Sequence, residues 1–367
     1  MRRFFLKCCI FTGMLLVLPL LGIVLAGLPL GRYFEFPPQT RYVIHASFSC
    51  VAFICYGIVI LAVVSPLSIR AMRARNKGGE RSHGACPFPW WGRLGIVTGL
   101  VAWILAWTRF DWFSLFQPHT FVPLWLSFIV VINAIAYRKK AHCMMLDRPG
   151  FFLLLFPISA TFWWFFEYLN RFVQNWCYSG VYFGSWEYCF YASLSFSTVL
   201  PAVLGVRELI LASSWFDKAF KDFMPLGFSR TKSLAWAVLL ISGAGLGLIG
   251  VWPDYFFALL WVSPLLIIIS LQALMGESHV FAGIARGDWR LVVSSALAAL
   301  SCGFFWEMWN YYSLSKWEYA IPFVHRYRIF EMPILGYAGY LPFGLEIAVI
   351  GKMLESIFQW WRKAPIN

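Results

Sequence analysis

The feature that most constrains this chain is a series of long apolar runs, each of about twenty residues. A helix rises about 1.5 Å per residue, so a run of this length can span a bilayer core about 30 Å thick. Hydrophobic residues make up 60% of the 367 residues and charged residues only 13%. Because a soluble domain carries roughly 25% charged residues, the sequence predicts an all-α polytopic membrane protein.

The apolar runs predict about ten transmembrane helices. Their approximate bounds are residues 9–30, 43–66, 94–110, 120–137, 150–169, 189–208, 233–251, 255–275, 291–311 and 334–353. The basic start of the chain resembles a signal peptide, but its apolar run is longer than the usual core and no A-x-A site follows. We therefore expect an uncleaved first helix.

The distribution of basic residues predicts the orientation of these helices. With the N-terminus in the cytoplasm, twenty-three of the thirty Lys and Arg residues fall on the cytoplasmic side. The acidic residues divide evenly, and a bias in Lys and Arg alone is the positive-inside rule. Topology and anionic lipid then explain the net charge of +13 without a nucleic-acid partner. We expect both termini in the cytoplasm and the chain in the cell (inner) membrane.

Matching motifs indicate that part of the chain is duplicated. Phe165-Phe166-Glu167-x-x-Asn170 is repeated as Phe305-Trp306-Glu307-x-x-Asn310, an offset of 140 residues. Further matches follow at similar offsets: 111–112 with 254–255, 133–134 with 272–273, 186–188 with 317–319, and 200–201 with 341–342. Both units open on a Gly-xxx-Gly spacing, at Gly95 and at Gly243, which lets transmembrane helices approach closely.

The duplication divides the chain into four parts. Residues 1–67 form a transmembrane hairpin, and residues 68–92 form a basic cytoplasmic linker that is expected to be flexible. Residues 93–231 and 232–367 form two repeats of four helices each. Because four crossings return the chain to the same side, we expect parallel repeats related by an axis along the membrane normal.

Glu167 and Glu307 are the first candidate site residues, because ionisable groups are expensive inside a membrane. Each lies about 24 Å along its helix, in the last turn near the outer interface. A helix C-terminus and partial burial both disfavour an ionised carboxylate, which suits a proton donor or an acid that awaits a cation. Asn170 and Asn310 follow on the same helical face. The structural alternative is that each Glu pairs with a nearby Arg, such as Arg171.

The position of the two glutamates relative to the predicted axis decides what they can do together. Under a shared axis they lie at one depth, and helices next to the axis bring both carboxylates to a common central site. Helices at the periphery leave each carboxylate with only its local loop. We expect the central arrangement, because acids at unfavourable helix ends are better tolerated away from lipid.

A second polar set lies toward the inner leaflet and comprises Asn133, Gln272, Arg207 and Glu346. Glu346 is roughly 20 Å deep in the last helix. It follows Pro342, whose ring removes a helical hydrogen bond and can kink the helix. This pattern favours a cavity rather than lipid around Glu346. A purely structural ion pair with Arg207 is the alternative.

The cysteines and histidines point to no resident cofactor. Nine cysteines show no CxxC, zinc or haem spacing. Cys177 and Cys189 lie in a predicted outer loop where a disulfide is permitted, with two unpaired thiols as the alternative. The histidines predicted on the outer side lack HxxH and HxxxH spacing, so no metal is predicted. Walker A, GxSxG and HExxH motifs are absent from the sequence as well.

Three functional readings are open. The first is a carrier or lipid-handling protein with a pathway between the repeats, where transporters commonly place their sites. The second is an enzyme acting on an amphipathic or lipid-linked substrate at the outer leaflet. In that enzyme, Glu167 or Glu307 is the general acid or base and Asn170 or Asn310 orients the substrate. The third is a structural or assembly subunit. Membrane lipid is the expected partner, a small-molecule or lipid ligand fits the first two readings, and the oligomeric state is left open.

Overall fold

A computed structural model of the protein describes residues 2–76, 86–227 and 231–363. These residues are mostly helical, and nine of their helical segments are long and apolar enough to cross a membrane by length and composition. The predicted crossing at 255–275 corresponds to a shorter apolar helix, Leu259–Leu274. The chain is therefore an all-α polytopic membrane protein, which confirms the predicted fold class. The number of crossings stays a prediction.

The elements of the described chain are numbered in chain order. The helices are α1 (Arg2–Leu25), α2 (Cys50–Asn76), α3 (Trp90–Trp107), α4 (Phe121–Lys140), α5 (Met144–Asp147), α6 (Pro149–Val173), α7 (Ser185–Phe196), α8 (Val199–Leu211), α9 (Ser214–Phe220), α10 (Thr231–Leu248), α11 (Pro253–Phe256), α12 (Leu259–Leu274), α13 (Arg290–Tyr311) and α14 (Tyr340–Lys363). The strands are β1 (Trp176–Ser179), β2 (Lys316–Tyr319), β3 (Arg328–Ile329) and β4 (Met332–Pro333).

The bundle has two ends, which we name by what they carry. The ladder end carries the paired strands β1 and β2, and the opposite end carries α9 and the start of α1. At the opposite end, Lys7 of α1 forms an ion pair with Glu277, which follows α12. Arg148 bridges Glu208 and Glu355, at 2.6 Å and 2.9 Å. These ion pairs join helix ends for which the sequence predicts the cytoplasmic side.

Helix α8 lies at the centre of the bundle, where it packs against α4, α6, α13 and α14. Every residue from Val199 to Val206 of this helix is buried. Beside it, the ring of Trp125 on α4 lies 4.8 Å from Trp306 and 5.3 Å from Trp309 on α13, measured between centroids. Aromatic pairs attract at this range, so rings hold the two predicted repeats together.

The glycines of the Gly-xxx-Gly spacings lie where helices approach closely. A Cβ atom added to Gly95 on α3 would lie 2.9 Å from the side chain of Val130 on α4. A Cβ atom added to Gly22 on α1 would lie only 1.7 Å from the carbonyl oxygen of Gly247 on α10. Gly22 lies outside both spacings, so the sequence patterns do not identify its close contact with α10.

The predicted linker differs from the structure over its first part. Helix α2 continues to Asn76, so residues 68–76 are helical rather than part of a flexible connection. The helix continues because α9 packs against it, and Arg70 Nε donates to the carbonyl oxygen of Ala219 at 2.8 Å. Residues 77–85 of the predicted linker lie outside the described residues.

Candidate functional site

A symmetric two-stranded ladder joins the two predicted repeats at the ladder end. Strand β1 follows α6, and strand β2 follows α13. The antiparallel register pairs Trp176 with Tyr319, Cys177 with Glu318, Tyr178 with Trp317 and Ser179 with Lys316. Each Trp is therefore paired with the Tyr of the other strand, about the central Cys–Glu pair. Because side chains alternate along a strand, the two Trp and two Tyr residues share one face of the ladder.

The two asparagines of the repeated motif hold the start of each strand. Asn170 Nδ2 donates to the carbonyl oxygen of Trp176 at 2.8 Å, and its Oδ1 accepts from the Trp176 N–H at 3.4 Å. Asn310 makes the same two bonds to Trp317, at 2.8 Å and 2.9 Å. Both amides are thus engaged by backbone groups. They position the strands, and their expected role as substrate-orienting groups stays a prediction. Asn170 also lines, with Glu167, a smaller cavity of about 200 Å³.

Glu167 is buried, with 5% of its surface exposed, and it accepts hydrogen bonds from aromatic side chains. Its Oε1 accepts from Trp163 Nε1 at 3.0 Å, from Trp176 Nε1 at 3.1 Å and from Tyr178 Oη at 2.6 Å. A buried carboxyl group without partners would destabilise the fold by several kcal/mol or change its protonation. These three donors therefore stabilise Glu167 in place.

Glu307 is fully buried and also accepts from aromatic donors, in a different arrangement. Its Oε1 accepts from Tyr319 Oη and Tyr340 Oη, both at 2.7 Å. Trp317 Nε1 donates to Tyr319 Oη at 2.9 Å, so its indole stabilises the acid through the phenol. Within the described ranges, Oε2 of Glu307 has no hydrogen-bond partner. Each motif thus places its acid behind the Trp and Tyr of its own strand.

Arg171, the alternative partner of Glu167, is engaged elsewhere. Its guanidinium donates to the carbonyl oxygen of Arg32 at 3.0 Å and lies 4.0 Å from Glu35 Oε2. Its own carbonyl oxygen accepts from the Tyr42 hydroxyl. Arg171 therefore fastens α6 to the segment between α1 and α2, and among the described residues it forms no ion pair with Glu167.

The strand tyrosines stay protonated over a wide pH range. Burial raises the pKa of Tyr319 well above its ordinary value, and the adjacent Glu307 raises it further. Burial of the Tyr178 hydroxyl and the adjacent Glu167 raise the pKa of Tyr178 in the same way. Although 37% of the surface of Tyr178 is exposed, its hydroxyl is bonded to Glu167. Both phenols are therefore stable hydrogen-bond donors.

The sequence pattern matches residues 186–188 to residues 317–319, but the two segments differ in structure: the first lies in helix α7 and the second in strand β2. Trp186 lies in the first turn of helix α7 and is 88% exposed, and Glu187 caps that helix by accepting from the Gly184 N–H at 3.1 Å. The structural counterpart of 317–319 is instead 176–178, because those segments pair in the ladder and bond to the two glutamates. Their offset of 141 residues agrees with the other matches. A search for Trp-x-Tyr nine or ten residues after the Glu of Glu-x-x-Asn finds this pair.

A cavity of about 770 Å³ lies beside the ladder. Its walls include the aromatic donors of both glutamates, namely Trp163, Trp176, Tyr178, Tyr319 and Tyr340. Within the described parts of the chain, the two glutamates are not among its lining residues. The structure thus brings the two motifs to one cavity but places their phenol and indole rings, rather than their carboxylates, on its walls.

Helix α2 forms one wall of this cavity and packs against the bundle mainly at its two ends, against α9 and against residues 334–339. It contributes five lining residues, which are Tyr56, Val59, Ile60, Val63 and Val64. None of the residues of its apolar stretch is buried. The firm contact of α2 is with α9 at the opposite end. The cavity therefore lies between the bundle and a helix whose apolar side chains are not buried.

The second polar set does not form one site. Asn133 Nδ2 donates to the carbonyl oxygen of Ile129 at 2.9 Å, and its Oδ1 accepts from the Met145 N–H at 3.1 Å. Asn133 therefore holds α5 against α4. Gln272 is buried on α12. Arg207 lies near the ion pairs of the opposite end, where the charges of Glu355, Glu208 and Arg148 act on it.

Glu346 is buried in α14, and its Oε1 accepts from the Leu265 N–H on α12 at 3.0 Å. No ion pair links it to Arg207 among the described residues. The lining of the cavity reaches Pro342 along this helix, one turn before Glu346. The cavity expected around Glu346 is therefore not the one beside the ladder. This acid instead bonds α14 to α12.

Cys177 and Cys189 are free thiols in the structure. Cys177 lies in the ladder, where its Sγ donates to the carbonyl oxygen of Glu318 at 3.8 Å, and Cys189 lies in α7. Burial raises the pKa of the Cys177 thiol, although the nearby Arg41 guanidinium lowers it. The thiol form of Cys177 is a weak nucleophile, so its place in the ladder is structural.

Comparison with protein-family models, with curated proteins and with solved structures finds no match for this chain.

Proposed function

We propose that the protein is a lipid-handling membrane protein that binds an amphipathic molecule in the cavity beside the ladder. The cavity itself is the observation that carries this proposal. Its volume of about 770 Å³ falls in the range of roughly 300–1,000 Å³ that is typical of ligand pockets. Its lining is mainly aromatic and aliphatic with a few polar groups, as the lining of such pockets usually is.

The position of α2 supports access from the membrane. The lining valines of α2, Val59, Val63 and Val64, lie on a helix that has no buried residue in its apolar stretch. An amphipathic molecule that is already dissolved in the bilayer could therefore pass beside this helix without crossing water. Its apolar part would lie between α2 and the bundle, and its polar part would lie at the ladder end.

Binding is better supported than passage through the protein. A carrier needs a route that connects both ends of the bundle. The lining extends along α14 only as far as Pro342, and the deep acid Glu346 is bonded to the backbone of α12. The proposal is therefore a binding and handling role at one side of the membrane.

An enzyme is the second candidate function, and one observation favours it. The phenols of Tyr178, Tyr319 and Tyr340 line the cavity, and each donates to a buried glutamate. Such a phenol can pass a proton between a bound substrate and the acid behind it. Against direct catalysis by the glutamates in this cavity, a general base must lie within about 3 Å of the proton that it takes, and neither acid lines it. Glu167 lines a separate, smaller cavity of about 200 Å³ together with Asn170 and Arg171.

The orientation and the two repeats belong to the same proposal. The symmetric register of the ladder supports a duplication over 93–231 and 232–367. The excess of Lys and Arg on one side supports a cytoplasmic N-terminus. In this orientation the ladder end faces outward, and the cavity meets the outer leaflet of the cell (inner) membrane.

A cavity-filling variant tests the proposal. Ala192 lines the cavity, so Ala192→Trp places an indole inside it. Ala62 on α2 is exposed and lies outside the lining, so Ala62→Trp is the matched control. We expect lipids extracted from the gently purified wild-type protein to include one species enriched over the bulk membrane. That enrichment should be lost in Ala192→Trp and kept in Ala62→Trp.

The same measurement separates the candidate functions. An enriched lipid that is recovered unchanged after incubation with the protein supports binding, and its chemical conversion supports the enzyme. Equal lipid composition in the wild type and Ala192→Trp, with no species enriched, would contradict the proposal.

A further inference from the structure

The charged residues that line the cavity are all positively charged. Among its lining residues in the described chain, the only charged ones are Arg41 and Lys316. Both lie at the ladder end. Lys316 begins β2, and Arg41 lies beside the thiol of Cys177 in β1. The two cations therefore mark one end of a cavity whose other walls are mostly apolar.

The surrounding acids neutralise these cations unequally. Lys316 Nζ lies 2.7 Å from Glu331 Oε1 and 4.0 Å from Glu318 Oε1. Glu331 is shared with Arg328, at 3.7 Å. Arg41, by contrast, has no carboxylate within 4.0 Å among the residues that the structure describes. Arg41, whose guanidinium also contacts the Cys177 thiol, is therefore the less neutralised of the two cations, and Lys316 adds a second, partly neutralised charge.

The apolar walls determine what must be attached to that anion. The lining residues of α2 run from Tyr56 to Val64, which is about 12 Å along the helix. Across from them lie indole rings such as Trp163 and Trp261. An inorganic anion would leave this apolar surface in contact with water, whereas an acyl or isoprenoid chain would cover it.

We infer that the ligand is an amphiphile with a phosphate headgroup, held by Arg41 with Lys316 beside it. This inference rests on the proposed function and names its ligand class. The planar guanidinium of Arg41 can donate two parallel hydrogen bonds to phosphate oxygens, and Lys316 contributes a point charge. The hydrocarbon chain of the ligand then lies along α2.

A binding experiment with matched lipids tests the headgroup. The probes are a phosphatidic acid and a diacylglycerol with the same fluorescent acyl chain, added to the full-length protein in a neutral detergent. We expect the phosphatidic acid to bind about tenfold more tightly, because one charged hydrogen bond supplies roughly that factor. Arg41→Gln should remove this preference, and Arg41→Lys should restore part of it. Arg326→Gln is the control, because Arg326 is exposed and lies outside the lining.

The outcomes distinguish this inference from the proposed function. Equal affinity for the two lipids, unchanged by Arg41→Gln, would overturn the headgroup inference and leave lipid binding in place. If neither lipid binds the wild type or Ala192→Trp, the proposed function itself is overturned. Displacement of the phosphatidic acid by inorganic phosphate at the same concentration would identify the free anion as the ligand and overturn the lipid assignment.

Discussion

Glu167 and Glu307 show how a membrane protein can keep acids in an apolar interior. Indole and phenol groups donate to them at 2.6–3.1 Å, so each acid is stabilised without a cationic partner. The residues that carry these rings also line the cavity. One set of aromatic side chains therefore donates to the buried acids and forms a surface suited to a hydrocarbon chain.

Tyr319, a strand residue that lines the cavity, predicts a pH dependence of stability. Burial and Glu307 raise the pKa of Tyr319, while in the unfolded chain it returns to about 10. Below that pH its contribution is fully present, and it is lost as the pH rises from 10 toward the folded value. We expect the midpoint temperature of thermal unfolding to decrease as the pH is raised from about 9.5 to about 11.5. The decrease should be less steep in Tyr319→Phe.

Tyr255→Phe is the control for this titration, because 75% of the surface of Tyr255 is exposed. It should leave the slope of the wild type unchanged. Equal slopes in the wild type and Tyr319→Phe would contradict the assigned role of the Tyr319 hydroxyl.

At the scale of single elements, close contacts between helices depend on glycines, which have no side chain. The crossing of α1 and α10 places Gly22 against the backbone of Gly247, and the crossing of α13 and α14 places Gly344 against the carbonyl oxygen of Ser295. Lipid gives helices no hydrophobic reason to associate, so such crossings depend on tight packing between backbones. The first of them attaches the N-terminal hairpin to the second predicted repeat.

A pair of variants on one helix tests this crossing. Gly22→Leu should force α1 away from α10, because even its Cβ would overlap the Gly247 carbonyl oxygen. Gly13→Leu is the control, since nothing lies within 4 Å of a Cβ at that position. Overpacking of this kind destabilises by about 1–3 kcal/mol or more. We expect a lower thermal midpoint in detergent for Gly22→Leu alone, and equal midpoints for the two variants would contradict the crossing.

At the scale of the whole molecule, the two predicted repeats meet within the bundle, at the ladder end and at the opposite end. Rings of α4 and α13 meet within the bundle, and β1 pairs with β2 at the ladder end. The cavity lies beside the second of these contacts and is bounded by α2, which belongs to neither repeat. The predicted N-terminal hairpin thus supplies a wall of the cavity that the two predicted repeats alone would lack.

The proposed orientation predicts the side of the membrane on which each loop lies. Reporter domains fused after residues 145 and 280 should read as cytoplasmic, because the chain at these positions lies on the side rich in Lys and Arg. Fusions after residues 180 and 320, which directly follow the ladder strands, should read as extracytoplasmic. An extracytoplasmic reading after 145 would overturn both the orientation and the placement of the cavity at the outer leaflet.

The sequence by itself determined the fold class and the residues most worth examining. Apolar runs long enough for a bilayer leave few alternatives to a helical bundle, and a repeated Glu-x-x-Asn motif identifies Glu167 and Glu307. Only the tertiary structure decided the partners of these acids, because hydrogen bonds join residues from different elements. In the tertiary structure, Asn170 and Asn310 hydrogen bond to the strand backbones, and Glu346 hydrogen bonds to the backbone of α12. The cavity could be identified only in the tertiary structure, because its walls come from segments far apart in the chain.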